Sequence, residues 1–572
     1  MSCLNQVAED PEATPGPITS LRIEPQDAIL AFVEPGPVTQ EYRAFAVHAD
    51  GVTEEEVTAD VVWGIDDIGL GLFVGNRFEA YGTVLGASTI RARLPSEQLD
   101  GATTVTVRIE ISILAEGAPA NSETLFEGEE TGTAPEIRYP NDGVILPPNL
   151  RPVDVHWLRG GSNNLFEVRY ESEILLVRVF TPCIATGNGC AIDLPEEAIE
   201  VLTFYTPLAS PGTKHNLTVR GLDSAGLGNP TVGVSTPIEV GFSSSPIQGA
   251  LYYWKANPGS IMRVDVGATD PTPQSYYTPM QTGGLCIGCH AVSRDGTKMA
   301  VGLSIPMPSQ MQSLDIASTS IQFTGMSNFF GYSPDGAVLT YSTNGSLMAA
   351  DGTTGDLISP TPIALNADMP EWSADGLTVV FSRPGQDCIP WLTCNIPGVD
   401  AGSLLTVSYD PNTRTFGSEQ VLTTAVGGAN HYYPTVSPDS NWVLYNRSME
   451  NSYDAPDASL WMVDINGGAP LELQNADDAH ANSWPKWAPF LNAFGDEELM
   501  WVAFSSRRDY GLKLINSAQP GDDQTPQLWM AAVTPGVAPD PSHAAFWLPY
   551  QNINSGNHIP QWAEEIVGDP AP

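Results

Sequence analysis

Cys286-Ile287-Gly288-Cys289-His290 places two thiols three positions apart and an imidazole directly after the second. In a C-x-x-C-H run each thiol can form a thioether to one porphyrin edge, and the histidine lies under the iron as axial ligand. The run predicts one covalent c-type haem on Cys286 and Cys289, with His290 as proximal iron ligand. A C-x-x-C redox pair and half of a zinc site compete with that reading. A redox pair should open a helix in a βαβ unit, yet Gly283-Gly284 precede the run and Ser293-Arg294-Asp295-Gly296 turns the chain after it. A structural zinc site wants a second C-x-x-C or paired histidines close by, and neither is present.

The elements around this motif come from an internal repeat beginning near Ile247. Its core is an aromatic residue or valine, then Ser-x-Asp-Gly, then an apolar strand. Val292-Ser293-Arg294-Asp295-Gly296, Tyr332-Ser333-Pro334-Asp335-Gly336 and Trp372-Ser373-Ala374-Asp375-Gly376 are full copies. Val436-Ser437-Pro438-Asp439 is a fourth, Trp487-Ala488-Pro489 a degenerate fifth with an insertion, and Trp562-Ala563-Glu564 starts a sixth. Leu251 to Trp254 and Ile261 to Asp265 can supply the outer strands that the sixth copy lacks, so that no sheet edge stays open. This grammar resembles the TolB-like (WD40-like) β-propeller, which implies about six blades over residues 247–572. Propellers host many activities, so the resemblance bears on fold alone.

Two other stretches precede the repeat. Residues 18–125 alternate short strands with Gly and Pro breaks, and Trp63, Gly82, Gly86 and Ile90 resemble a bacterial immunoglobulin-like sandwich, with Trp63 in its core. Residues 134–243 read as a second sandwich, and Asn216 to Gly221 resembles a fibronectin type III strand. The acidic stretch Phe126 to Gly132 reads as a linker, and residues 1–17 as an N-terminal tether. The fold class expected is therefore all-β, two N-terminal sandwiches serving as a stalk and then a six-bladed propeller.

The repeat register puts His290 in the connection that enters the first full blade, at the mouth of the channel. Corresponding connections carry Met326, Met369, His431, His480 and His558. Candidates for the distal iron ligand are, in order, His558, His431, His480, Met369 and Met326. Histidine there gives a low-potential iron, methionine raises the potential, and an empty position admits a small ligand. Arg294, Arg507 and Arg508 are candidates to hold haem propionates. Asp477-Asp478 and Asp522-Asp523 are read as solvated turns, with calcium as the alternative.

A haem motif inside a propeller also resembles the middle domain of the hydrazine synthase alpha subunit, which implies chemistry on small nitrogen compounds. That family relies on a tyrosine ligand shortly after the motif and on a second haem. Here the fourth residue after His290 is Arg294 and there is a single C-x-x-C-H, so the activity is not carried over.

The remaining cysteines fit an oxidising compartment. Cys183 with Cys190 and Cys388 with Cys394 close short loops and are expected as disulfides. Cys3, ahead of a Pro- and Glu-containing stretch, resembles the lipidated first residue of a bacterial lipoprotein; a free cysteine is the alternative. No signal peptide or membrane-spanning apolar run is recognised, so any export signal has already been removed. Acidic residues outnumber basic ones 67 to 24, a net charge of -43, which repels nucleic acid. A solubility or salt-adaptation feature is the first reading of this excess, and attraction of a basic redox partner is the alternative. The expectation is a periplasmic or surface monohaem cytochrome. A haem enzyme with an open distal site and an adhesion protein with structural haem are the alternatives.

Overall fold

The computed structural model describes all residues except 1–15, 33–37, 210–211, 226–229, 269–270, 304–309, 328, 386–400, 451, 453–454, 478–480, 520–522 and 568–572. Cys3, Cys388, Cys394, His480, Asp478 and Asp522 lie outside the described residues.

Each Ser-x-Asp-Gly copy folds as the same device. The Ser293 and Ser333 hydroxyls donate to Asp295 and Asp335 at 2.6 Å and accept the Lys298 and Val338 N–H at 2.9 Å. Ser373 and Ser437 do the same with Asp375 and Thr378, and with Asp439 and Trp442. The next residue turns left-handed, with φ of +72° at Gly296, +68° at Gly336 and +72° at Gly376, and Ser440 takes φ +64° in the fourth copy. Left-handed backbone costs a side-chain-bearing residue roughly 1–2 kcal/mol, which is why three of these positions are glycine.

These turns join the innermost and second strands of successive antiparallel sheets. Ile287–Val292 pairs with Lys298–Leu303, Phe330–Tyr332 with Val338–Thr343, and Asp368–Trp372 with Thr378–Arg383. Asn430–Val436 pairs with Trp442–Ser448, and Ser483–Phe494 with Glu497–Ser506. In the sixth sheet Asn557–Ala563 pairs with Gly249–Lys255, which continues to Ser260–Val266 and Gln274–Tyr277. Both ends of the segment thus share one blade, and the six sheets of four or five strands form the propeller.

The region before the propeller departs from two tethered sandwiches. Leu99–Leu114 pairs antiparallel with Gly86–Leu94 and parallel with Leu175–Pro182, so one ten-stranded sheet runs through both units. The expected linker is anchored at its first residue and exposed at Glu127, Glu129, Glu130 and Thr131. Phe126 is buried against Phe180, its carbonyl accepts from Arg220 at 2.9 Å, and Glu130 pairs with Arg220 at 3.0 Å. Glu130, 59% exposed, adds a second ion pair to Arg220, whose buried counter-charge is Glu167. A helix, Glu196–Ala209, also interrupts the second unit. It buries Ala198, Ile199, Leu202 and Thr206 on one side, a helical spacing behind Pro195 and an acidic first turn. Trp63 stacks on Phe73 at 5.5 Å, in keeping with a core role.

The second unit is no free stalk. Its Val155 and Trp157 belong to one apolar core with Trp501, Met530 and Phe546 of the propeller. At this junction the buried Asp154 accepts from His156 Nε2 at 2.8 Å, Tyr510 Oη at 2.6 Å and Lys513 Nζ at 2.6 Å. The Leu512 N–H donates to His156 Nδ1 at 3.2 Å, which leaves the proton on Nε2 facing Asp154. Tyr510, Leu512 and Lys513 all lie in the fifth-blade insertion, between Glu497–Ser506 and Gln527–Val533. No described helix is long and apolar enough to cross a membrane.

Candidate functional site

Five innermost strands carry a β-bulge near the mouth of the channel. In four of them a residue with positive φ precedes a proline: Met369 at +53°, Tyr433 at +48°, Trp484 at +53° and Ile559 at +54°. Proline has no N–H for the ladder and settles in the bulge. Blade one differs. Its register passes from Ile287↔Leu303 to His290↔Val301, so Gly288 and Cys289 form the bulge and His290 re-enters the ladder. At the position of His290 the second blade has Phe330 and the others have Pro370, Pro434, Pro485 and Pro560.

This shift presents the motif to two adjoining spaces. A cleft of about 380 Å³ is lined by Cys289, Trp254, Phe329, Tyr433, Trp484, Arg507 and His558, among others. Beneath it a narrow channel of about 50 Å³ is lined by His290, Met369, Glu371, Lys486 and Gln561. Cys289, Phe329, Tyr433 and Trp484 border both. Tyr433 and Trp484 stack with centroids 3.8 Å apart, and Phe329 packs on Trp484 at 5.9 Å. Trp254 Nε1 donates to the Ile287 carbonyl at 2.5 Å, fixing the residue between the two thiols from the neighbouring blade.

His290 is 3% exposed, and neither ring nitrogen makes a hydrogen bond, although the backbone of Tyr252 and Gly288 lies near. Burial first, then the nearby Lys486 charge, hold its pKa down to about 3, so the imidazole is neutral with a lone pair free. Lys486 is itself ion-paired with Glu371 across the channel. Both thiols of the motif are unbridged. Burial, then the Asp368 carboxylate, push the Cys289 thiol up to about 12. A dithiol redox pair needs a lowered thiol pKa and a helix N-terminus; this motif has a raised one and a strand, Ile287–Val292. Among the described residues no three His, Cys, Asp or Glu side chains gather as a metal site, which leaves the zinc reading without further ligands. Cys289 borders the aromatic-walled cleft and His290 the channel, an arrangement that suits a planar porphyrin, whereas the second unbridged thiol, Cys286, lines neither space and packs beside Gly259.

The structure sorts the other candidates. His558 lines the cleft, its ring 5.7 Å from that of Trp254, with its pKa lowered to about 4 by burial and by Arg507. Met369 lines the channel on the side of His290. His431 borders neither space: it bonds Thr423 Oγ1 at 2.8 Å and packs on Tyr445 at 5.1 Å. Met326 is 44% exposed at the end of an outermost strand, Ile321–Met326, and borders neither space; the chain must still cross to the inner strand after it. Arg507 lines the cleft. Arg508 is buried, donating to Ala476 and Asp477 carbonyls at 2.7 and 2.9 Å, and Arg294 sits at the far end of the channel with Glu564 and the Pro489 carbonyl. Asp477 turns inward to Asn482 rather than to solvent.

Sequence reasoning missed Asp368 and the aromatic lining. Asp368 is fully buried, accepts the Met369 N–H at 2.9 Å and is pushed up to about 7 by burial. The lining did have a signal, the residue before proline in each repeat, whereas Asp368 had none. Cys183 and Cys190 are bonded, with Cα atoms 5.2 Å apart.

No protein-family model matches the chain, and no curated protein does. Similar solved structures are β-propeller proteins. TolB from Acinetobacter baumannii is 13% identical with a TM-score of 0.35, over 62% of this chain and 80% of that one. A putative TolB from Agrobacterium tumefaciens is 15% identical with a TM-score of 0.30, over 53% and 88%. Kuenenia stuttgartiensis hydrazine synthase is 12% identical with a TM-score of 0.30, over 47% and 67%.

Proposed function

We propose that this chain is an exported c-type cytochrome, with one haem on Cys286 and Cys289, that transfers single electrons at the cell envelope. The observation that carries this reading is His290, buried and neutral with both ring nitrogens unbonded, beside two unbridged thiols. Haem, when bound, supplies a one-electron iron couple. The chain's part is to hold it: Cys286 and Cys289 anchor the edge, His290 ligates, and Phe329, Tyr433 and Trp484 exclude water. The Cys183–Cys190 disulfide supports an oxidising compartment, where covalent haem is attached. The acidic surface suits a basic electron partner. Lipid attachment through Cys3 belongs to the same reading.

Polar groups on the cleft wall favour one second reading, a haem enzyme acting on peroxide or small nitrogen oxides: Arg507 and His558 border the space beside Cys289. Absorption spectra of protein from a host competent in haem attachment, oxidised and reduced, with and without carbon monoxide, decide. A six-coordinate reduced spectrum indifferent to carbon monoxide supports electron transfer, and a high-spin spectrum that shifts supports the enzyme. Protein without haem absorbance overturns both.

A further inference from the structure

One position recurs in the innermost strand of every blade, two residues ahead of the serine of the turn or its counterpart: Ala291, Gly331, Glu371, Thr435, Lys486 and Gln561. Glu371 and Lys486 pair with each other across the channel, and Thr435 Oγ1 accepts the Trp487 N–H at 3.5 Å. Gln561 differs from these three. It lines the narrow channel, is 7% exposed, and its Oε1 has no hydrogen-bond partner. His290 lines the same space of about 50 Å³ with neither ring nitrogen bonded. The two buried groups are complementary in chemistry. A neutral imidazole carries one N–H and one lone pair, and an amide oxygen takes only the N–H.

We infer that Gln561 is the positioning residue of His290: its amide oxygen accepts the imidazole N–H, directly or through one water, when the other ring nitrogen ligates iron. The inference rests on the function proposed above. A ligating histidine regularly donates its second N–H to an acceptor, which fixes the tautomer, holds the ring plane and makes the ligating nitrogen a stronger donor. The channel has room for a bridging water. Glu371, the carboxylate that lines it, is engaged by Lys486. The competing acceptors are backbone. Tyr252, paired with Gln561 in the sixth blade, and Gly288 lie near the ring, but neither bonds it. A backbone carbonyl survives every side-chain replacement, so substitution at Gln561 separates the two cases.

The test uses the full chain from a host competent in haem attachment, as wild type, Gln561→Leu and Gln561→Glu. Two properties are read: the midpoint potential, and the solvent exchange of the ligating imidazole N–H in the proton NMR spectrum of the oxidised form. Gln561→Leu removes the acceptor at similar size. It is expected to raise the potential, moving the oxidised-to-reduced ratio at a fixed potential about threefold or more, and to speed the exchange about tenfold. Gln561→Glu keeps an oxygen there and strengthens it as acceptor, so it should lower the potential and keep the exchange slow. Loss of packing alone would not move the two variants in opposite directions. An unchanged potential and exchange in Gln561→Leu, or potentials moved the same way by both variants, overturns the inference and leaves the haem reading intact, with the N–H on the backbone. Should Gln561→Leu fail to fold, the direction taken by Gln561→Glu decides. Chains without haem absorbance defeat the proposed function and the positioning role together.

Discussion

His290 stands in the first blade where Pro434 stands in the fourth, each two residues before the valine that leads into the Ser-x-Asp turn. Proline stays out of the ladder; His290 joins it opposite Val301 and moves the bulge one residue back onto Gly288 and Cys289. The exchange of one residue in a repeated strand puts a buried imidazole where the other blades carry proline or phenylalanine.

That exchange has a stability cost that can be measured. A buried polar group without a partner costs about 1–3 kcal/mol, and the second blade shows that the position accepts Phe330. His290→Phe is expected to make the haem-free protein more stable than wild type by roughly 1 kcal/mol, while abolishing axial ligation in the haem-loaded form. Urea unfolding of both haem-free proteins checks it. A clear loss of stability in the variant would mark His290 as a packing residue.

The two axial ligands of one iron must approach from opposite faces of the macrocycle. Met369 shares the narrow channel with His290, and His558 faces the roomier cleft. His558→Ala is therefore expected to convert a six-coordinate reduced spectrum into one that shifts with carbon monoxide, and Met369→Ala to leave it six-coordinate. The reverse pattern would assign the distal position to Met369.

Trp484 lines the cleft and stacks on Tyr433 at 3.8 Å. Truncating a fully buried tryptophan costs about 3–5 kcal/mol, and this one is half-buried. Trp484→Ala should lower unfolding stability by about 2 kcal/mol and speed carbon monoxide binding to the reduced haem-loaded protein. Stability and rate unchanged together would mean that the stack neither supports the fold nor guards the site.

The propeller was legible because its turn is chemical: Ser, Asp and Gly recur where a hydroxyl bridge and a left-handed residue are needed, as at Ser373, Asp375 and Gly376. The run Cys286 to His290 stands out in the sequence by residue type and spacing, and the proposed haem attachment rests on that pattern. Spatial neighbours were not legible. His431 and His558 both lie near the start of an innermost strand, and only the strand register decides that one bonds Thr423 and the other faces the cleft. The continuous N-terminal sheet was hidden because a parallel pairing such as Ile109↔Leu175 leaves no local mark. The helix at Glu196–Ala209 did leave one, in the period of Ala198, Ile199 and Leu202, overlooked amid strand patterns.

The contact between the second N-terminal unit and the propeller should respond to acid. Burial opposes the Asp154 charge, but His156 and Lys513 outweigh it and hold its carboxyl below the ordinary value. A carboxylate with a depressed folded pKa contributes stability that is present above its unfolded pKa, near 3.9, and is lost as pH falls through the folded value. Lys513 is raised, mainly through Asp154 against its own burial, so its share is present below about 10.4 and is lost at higher pH. Asp154→Asn keeps the shape and removes the charge that three donors share. Losing one partner of a buried pair costs about 3–5 kcal/mol, and the amide oxygen retains some of these bonds, so a loss of about 2 kcal/mol at pH 7 is expected. As pH falls through the depressed folded value of Asp154 the wild type should lose this advantage and the two unfolding curves should converge. Curves separated by the same amount from pH 7 to pH 2 would show that the Asp154 charge does not hold the junction.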